Sequence, residues 1–165
     1  MLLNTEHTPM FFVDAMLGNI ARKLRLLGYD SKYFSDIDDT KLINIAIKEK
    51  RIVISKDHEL IQRAQKFGIQ TTHITQQKEI EQFFEIIDKI YLKNIQINGN
   101  VARCTKCNSL TESIDKNNYI KKIPMQIFNL KENFWRCNSC EKIYWEGTHI
   151  KNLQSFVGQI NERLQ

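Results

Sequence analysis

Hydrophobic positions in the first part of the chain alternate between short runs and longer stretches at helical spacing. The first run covers residues 11–13 and stops at the carboxylate of Asp14. The apolar residues that follow have helical spacing: Leu17, Ile20, Ala21, Leu24 and Leu27. Gly28 ends the segment, as suits a left-handed C-cap. We predict a strand, an acid and a helix in that order, with a buried helix start as the alternative for so short a run.

The same alternation continues to residue 92. Residues 31–35, 51–55 and 69–74 have the length and composition of strands, and the β-branched run at 51–55 suggests a central strand buried on both faces. Helices are predicted after an N-cap at Asp38 or Asp39, after Asp57 as far as Gly68, and over residues 78–92. This order predicts an α/β domain in which helices cover both faces of a mainly parallel sheet.

The alternation breaks at the Asn-Gly-Asn sequence of residues 98–100. We therefore predict two domains, residues 9–97 and residues 98–165. The second domain ends in a segment with apolar residues at helical spacing, which are Leu153, Phe156, Val157 and Ile160. The sequence does not indicate which domain this last helix packs against, and it indicates no oligomeric state.

Composition restricts the class of protein. Of the 165 residues, 42% are hydrophobic and 26% are charged, which is typical of a soluble globular protein. No apolar run approaches the ~18 residues of a membrane span. Residues 1–10 lack the basic and apolar regions of a signal peptide. We therefore expect a cytoplasmic protein that does not contact membranes.

The net charge of +5 is unevenly distributed. Residues 1–97 contain 14 Lys and Arg against 13 Asp and Glu, whereas residues 98–165 contain 10 against 6. A basic second domain is compatible with a polyanionic partner such as a nucleic acid. Because such a balance is common among soluble proteins, it carries little weight alone.

Three acids stand at equivalent places in the predicted strand and helix order. Asp14 follows the first strand, Asp38 or Asp39 opens the helix after the second, and Asp57 follows the third. Because the carboxyl ends of parallel strands meet at one edge of the sheet, these acids can converge. Clustered carboxylates suit Mg²⁺ or Mn²⁺, which activates water and stabilises the charge that develops on a phosphodiester. The alternative for each acid alone is a turn residue or helix cap.

Two arginines lie three residues apart on the first helix. Arg22 and Arg25 would share one face of that helix and could contact a substrate phosphate or balance the charge of the acids. A solvated helix face explains them equally well.

The four cysteines form two Cys-x-x-Cys pairs, Cys104 with Cys107 and Cys137 with Cys140, separated by 29 residues. With no sign of secretion, a metal site is favoured over disulfides. Four thiolates around tetrahedral Zn²⁺ form a closed structural site. The alternative is a redox-active dithiol, for which one pair would suffice.

The cysteine module also carries candidate RNA contacts. Trp145 and its aromatic neighbours could stack on bases, and His149 could contact a phosphate. The aromatic side chains could instead form the small core beside the metal, and His149 could be a turn residue.

Several motifs together resemble the Mut7-C RNase family. They are Val-Asp-Ala-Met-Leu-Gly at 13–18, Ala-Arg-Lys-Leu-Arg-Leu-Leu-Gly-Tyr-Asp at 21–30, Asp-Asp at 38–39, Ser-Lys-Asp at 55–57, Arg-Cys-x-x-Cys-Asn at 103–108, Phe-Trp-Arg-Cys-x-x-Cys at 134–140 and Tyr-Trp-x-Gly-Thr-His at 144–149. The resemblance covers the chain from about Phe11 to His149. It implies a PIN-like three-layer α/β/α nuclease domain followed by a small zinc ribbon.

The resemblance also implies site residues. Asp14, Asp39 and Asp57 correspond to the metal-site acids, with Asp38 as an alternative to Asp39. Lys56 stands where the family typically has Arg, which keeps the charge but loses the planar fork. Many PIN domains carry a further acid after the fourth strand, but residues 71–77 contain none.

The sequence therefore favours a Mg²⁺- or Mn²⁺-dependent ribonuclease with a structural zinc ribbon that aids RNA binding or stability. The alternative is an RNA-binding or scaffolding protein whose acids no longer support cleavage, because the expected fourth acid is missing. A phosphotransfer enzyme with an aspartyl nucleophile would need Asp-x-Asp after the first strand, and residues 14–16 read Asp-Ala-Met. The sequence does not reveal which RNA is cut, or whether cleavage is endo- or exonucleolytic.

Overall fold

A computed structural model describes residues 8–92 and 95–164. Its first part is built on four parallel strands: β1 (Phe11–Val13), β2 (Ser31–Tyr33), β3 (Ile52–Ser55) and β4 (Thr71–His73). Their order in the sheet is β2-β1-β3-β4. The chain thus adds β2 on one side of β1 and then crosses to the other side for β3, which puts a topological switch point between β1 and β3.

Helices connect these strands. They are α1 (Gly18–Leu26), α2 (Asp39–Glu49), α3 (His58–Lys66) and α4 (Glu79–Ile90), and one 3₁₀ turn at Ala15–Leu17 precedes α1. Asp38 caps α2 and Asp57 caps α3, each accepting backbone N–H groups of the first turn. After α1, Gly28 adopts φ +94°, as the sequence predicts.

Strand side chains alternate between the two faces of the sheet. Phe11, Val13 and Ile54 pack on one face with α1 and α4. Phe12 and Val53 pack on the other face with α2 and α3. All four residues of β3 are buried, because helices cover both faces of this central strand. The predicted α/β domain with a central parallel sheet between two helical layers is confirmed.

The second part is a small antiparallel sheet with the order β5-β6-β7, formed by Thr111–Ile114, Phe134–Cys137 and Ile143–Trp145. A 3₁₀ turn at Lys116–Tyr119 and the short helix α5 (Met125–Leu130) fill most of the span between β5 and β6. The four cysteines lie at one end of this sheet.

The last helix, α6 (Thr148–Leu164), returns to the first domain. Leu153, Val157 and Ile160 belong to the core on the α1 and α4 face of the parallel sheet. The Phe156 ring packs edge-on against Phe83 of α4, with ring centroids 5.2 Å apart. The two sheets are thus formed by successive parts of the chain, while α6, which follows the second sheet, completes the core of the first.

In the described part of the chain, no helix combines the length and apolarity needed to cross a membrane.

Candidate functional site

The carboxyl ends of β1 and β3 meet at the switch point of the sheet. Asp14 directly follows β1, and its backbone N–H donates to the carbonyl of Ile54 in β3 at 2.9 Å. Ser55 ends β3, and Asp57 follows two residues later as the cap of α3. Ligands of open α/β sheets bind at such a point, where adjacent connections leave in opposite directions.

A serine hydroxyl connects two of the predicted acids. Ser55 Oγ donates to Asp14 Oδ2 at 2.7 Å and accepts the backbone N–H of Asp57 at 2.9 Å. Ser55 is fully buried, so this contact is shielded from solvent. The other oxygen of Asp14 accepts the backbone N–H of Ala15 at 2.6 Å. The structure therefore brings Asp14 and the start of α3 together, and it fixes the orientation of the Asp14 carboxylate.

The remaining acids lie at the start of α2. Asp38 Oδ1 accepts the backbone N–H of Lys41 at 3.0 Å, and this bond, with the nearby Lys41 charge, lowers the pKa of Asp38. Asp39 Oδ2 accepts from Arg63 of α3 at 3.1 Å. The structure thus assigns the cap of α2 to Asp38 and leaves Asp39, in the first turn, in an exposed ion pair across to α3.

Over residues 8–92 and 95–164, only one group of three or more His, Cys, Asp or Glu side chains has ligand atoms that all lie within 4.8 Å of one another, and it consists of the four cysteines. The three predicted acids do not form a closed set of this kind. Asp57 accepts the capping bonds of α3, and Asp39 accepts from Arg63 of the same helix.

An open cleft of about 460 Å³ begins next to Asp14. Its walls are the 3₁₀ turn, the start of α1, the end of β2 and the start of α4. Arg22 and Lys56, both predicted as substrate contacts, line this cleft from different elements. The exposed Met16 side chain, within the 3₁₀ turn that follows Asp14, also lines it. Two cations therefore line a cleft that reaches Ala15, the residue after Asp14, although none of the predicted acids is among its lining residues.

Arg25 lies elsewhere, contrary to the prediction that it shares a substrate-facing surface with Arg22. Its side chain is 4% exposed, and its guanidinium donates to the backbone carbonyls of Ser31 at 2.8 Å and Thr105 at 2.7 Å. Burial lowers the pKa of Arg25 below its usual range, although nearby Cys104 and Cys107 oppose this shift. Residues three apart on a helix differ by about 60° around its axis, so Arg22 can line the cleft while Arg25 is buried against Ser31 and Thr105.

The ribbon residues predicted to contact RNA do not line the cleft. Trp145 is half-buried in β7, and its ring lies 6.4 Å from that of Phe134, centroid to centroid. His149 is exposed in the first turn of α6. Trp145 thus contributes to the core of the ribbon, and His149 faces solvent.

The four cysteine sulfurs form a compact group. Cys104 and Cys140 have Sγ atoms 3.5 Å apart, and the Sγ atoms of Cys107 and Cys137 are 3.4 Å apart. Backbone N–H groups point at these sulfurs, with Cys107 N at 3.4 Å from Cys104 Sγ and Cys140 N at 3.4 Å from Cys137 Sγ. Four sulfurs at such separations suit a tetrahedral Zn²⁺, and the N–H groups stabilise thiolate charge.

Neighbouring side chains support the same chemistry. Partial desolvation raises the pKa of the exposed Cys107 thiol, but hydrogen bonds with Ser109, Cys137 and Cys104 outweigh it and lower the pKa to about 6. Burial and the bond to Cys104 raise the pKa of Tyr144. The Tyr144 hydroxyl lies 3.0 Å from Cys104 Sγ, a distance at which it can donate to a thiolate. The donor set fits zinc, with outer hydrogen bonds that orient the sulfurs.

The sequence alone did not assign roles to three residues of this region. Ser55 holds Asp14, Tyr33 lines the cleft, and Glu79 lines the cleft while pairing with Lys23 at 2.8 Å. The position of Ser55 between a buried strand and an acid was a usable signal. Glu79 and Tyr33 reach the cleft only through the packing of α4 and β2, which a linear pattern does not show.

Comparison with known proteins agrees with this architecture. The search of curated proteins finds no match to the chain. The sequence model of the family described as Mut7-C RNAse domain matches residues 9–157, which includes the parallel sheet, both cysteine pairs and most of α6. Because this match covers most of the chain, the protein belongs to the Mut7-C RNAse domain family.

Proposed function

We propose that this protein is a metal-dependent ribonuclease that hydrolyses RNA phosphodiester bonds at the edge formed by Asp14 and Asp57. The observation that carries the proposal is the Ser55 hydroxyl, which holds Asp14 beside the start of α3 at the switch point. Membership of an RNase domain family supports hydrolysis of RNA rather than another reaction on an open α/β sheet. We also assign the domain to the PIN-like nucleases.

Asp14 and Asp57 would hold Mg²⁺ or Mn²⁺, with Asp39 as the third acid and Asp38 as its alternative. Their hard carboxylate oxygens suit these ions, and Mg²⁺ needs only one or two protein carboxylates when waters and substrate phosphates complete its shell. When bound, the metal would activate a water molecule and stabilise charge on the phosphate. Two carboxylates are therefore sufficient for the proposed site, without a closed set of three.

The residues around the proposed metal site have distinct roles in this proposal. The Ala15 N–H and the Ser55 hydroxyl fix the Asp14 carboxylate before substrate arrives. Both capping bonds of Asp57 fall on Oδ1, so the cap orients this carboxylate while Oδ2 takes no part in it. Arg22 and Lys56 would bind phosphates of the RNA in the cleft, Arg22 through its planar fork and Lys56 as a point charge.

The second domain would act as a structural zinc ribbon that supports RNA binding or stability. Its excess of Lys and Arg favours contact with a polyanion, and Trp145 and His149 remain candidate contacts outside the cleft. We propose a cytoplasmic location for the protein.

The test is RNA cleavage with Mg²⁺ or Mn²⁺ by wild type, Asp14→Asn and Asp57→Asn. Asparagine keeps the size of aspartate and caps helices equally well, so α3 stays intact in Asp57→Asn. We expect each variant to lose cleavage by about 100-fold or more, because the negative charge that holds the metal is removed. Asp36→Asn is the matched control, since Asp36 is exposed in the loop before α2 and has no assigned role.

Cleavage that survives both substitutions would overturn the assignment of the acids. RNA binding without cleavage in either metal would instead favour the RNA-binding or scaffolding alternative. That alternative draws on the lack of a closed three-acid set among the described residues.

A further inference from the structure

The first cysteine pair contacts the free edge of the parallel sheet. β2 is an edge strand, and Phe11 of β1 donates to the carbonyl of Asp30, so the N–H and carbonyl of the next residue, Ser31, point away from the sheet. Asn108 Oδ1 accepts the Ser31 N–H at 3.0 Å, and Arg25 Nε donates to the Ser31 carbonyl at 2.8 Å. Ser31 is fully buried beneath these contacts. Two side chains thus take the place of a neighbouring strand.

Both side chains are held by the segment from Cys104 to Asn108. Asn108 directly follows Cys107, adopts φ +68°, and donates its backbone N–H to the Cys104 carbonyl at 2.9 Å. Arg25 donates to the carbonyl of Thr105, which lies between the two cysteines. The conformation that brings the sulfurs together is therefore the conformation that presents Asn108 to Ser31.

Asn108 also contacts the residue before β2. Its Nδ2 donates to Asp30 Oδ1 at 2.8 Å, and the same oxygen accepts from Arg51 at 2.5 Å. The Asn108 amide therefore bonds to Asp30 and Ser31 at once, which fixes where β2 begins.

The opposite end of β2 contacts the turn that carries Asp14. The Tyr33 hydroxyl donates to the Ala15 carbonyl at 3.2 Å. Its ring lies so close to Gly18 that a Cβ there would come within 2.8 Å of Tyr33 Oη. The same turn is closed by the Leu17 N–H, which donates to the Asp14 carbonyl at 3.0 Å. The three residues of β2 thus connect the segment from Cys104 to Asn108 with the 3₁₀ turn that follows Asp14.

We propose that Asn108 is a positioning residue for the acid edge, acting through β2 and Tyr33 on the turn between Asp14 and Gly18. In this proposal the first cysteine pair stabilises the ribbon and also fixes the register of β2, the strand that pairs with β1 ahead of Asp14. The relevance to catalysis rests on the proposed function, but the structural link does not.

The test uses the full chain and the substitution Asn108→Gly. Glycine adopts φ +68° freely, so this change removes only the side-chain amide. Glu141→Gly is the matched control because Glu141 follows Cys140, has φ +62°, and pairs with Arg136 and Lys122 inside the ribbon. Zinc content and hydrogen exchange of individual amides are measured for wild type and both variants.

We expect Asn108→Gly to keep its zinc and to exchange about fivefold to tenfold faster at the Ser31 and Leu17 amides, as the loss of one net hydrogen bond implies. The control should leave both amides unchanged. Tyr33→Phe, which removes only the hydroxyl, should speed exchange at Leu17 alone. Faster exchange at Ser31 with Leu17 unchanged, or equal effects of the two glycine variants, would overturn the proposal.

Cleavage assays separate this inference from the proposed function. If RNA is cleaved, Asn108→Gly should lower kcat and leave KM near the wild-type value, since Arg22 and Lys56 still bind phosphate. If wild type does not cleave RNA, the proposed function fails, while the exchange data still decide whether Asn108 positions the turn.

Discussion

The side-chain hydroxyl of Ser55 donates a hydrogen bond to Oδ2 of Asp14 at 2.7 Å, from a position with no solvent exposure. Ser55 Oγ also accepts the backbone N–H of Asp57 at 2.9 Å. One buried atom therefore supports both of the acids on which the proposed reaction depends.

Replacing Ser55 with alanine removes both bonds. We expect a loss of about 1–2 kcal/mol in the free energy of unfolding, because a backbone N–H is left without its partner. Cleavage should fall by about 10-fold to 100-fold, the usual cost of losing a group that orients a metal ligand. The measurements are urea unfolding and RNA cleavage. Ser55→Thr restores a hydroxyl and should recover most of the activity, whereas equal losses in both variants would point to a packing effect.

Asp38 and Asp39 have different contacts, which predict different effects. Asp38→Asn should cleave RNA like wild type, because asparagine also caps α2. Asp39→Asn should lose cleavage by about 10-fold or more if Asp39 is the third acid. Rates at saturating metal, with circular dichroism as a check on folding, distinguish the two residues. The opposite order of effects would assign the third acid to Asp38.

Arg22 and Arg25 provide a second paired comparison. Arg22 is exposed on the cleft, so Arg22→Gln should weaken RNA binding and reduce the slope of log affinity against log salt by about 1, with stability unchanged. Arg25→Gln should cost about 2–4 kcal/mol, because buried carbonyls of Ser31 and Thr105 lose a charged donor. Binding titrations and urea unfolding are sufficient. A stable Arg25→Gln variant with weak RNA binding would contradict this division.

Tryptophan fluorescence reports selectively on the ribbon when metal is removed. The two tryptophans, Trp135 and Trp145, both lie in the ribbon strands. We expect one zinc per chain. A strong chelator under reducing conditions should unfold the ribbon and shift tryptophan emission to the red, since structural zinc sites supply folding free energy. A metal-free protein with native emission and four titratable thiols would contradict a structural zinc site and favour the dithiol alternative.

Asp30 gives the protein a defined response to acid. Burial alone would raise its pKa, but hydrogen bonds from Arg51 and Asn108 and the charges of Arg51 and Arg103 lower it below 3.8. Because the folded pKa lies below the unfolded one, the stability from ionised Asp30 is fully present above about pH 4 and is lost as pH falls through the folded value. Asp30→Asn should cost about 2 kcal/mol at neutral pH, and the difference from wild type should shrink below pH 4. Urea unfolding across this range checks the sign.

The spacing of hydrophobic residues predicted the architecture, because a strand or helix that is buried in the core has a recognisable pattern of apolar residues within its own sequence. A few neighbouring residues are enough to recognise the β-branched run of β3, the cap at Asp57 and the left-handed Gly28. Predicted strands were longer than those observed, since residues 69–74 contain a β4 of only Thr71–His73. The flanking Ile74 lies outside the bounds of β4 but packs in the core, and its N–H donates to the carbonyl of Ser55 in β3.

The contacts of Arg25 could not be predicted from its neighbours in the sequence. Its helical position is local information, but the carbonyls that it binds belong to Ser31 and to Thr105, 80 residues further along the chain. The same applies to α6, whose apolar stripe was evident while its partner α4 was not. Contacts between distant segments decide such roles, and a single sequence does not contain them.

The return of α6 to the first domain sets an order of events during synthesis. Leu153, Val157 and Ile160 complete a core whose other members lie between Phe11 and Ile95. The ribosome therefore translates all four cysteines before this core can close, and the nascent parallel sheet exposes apolar surface until then.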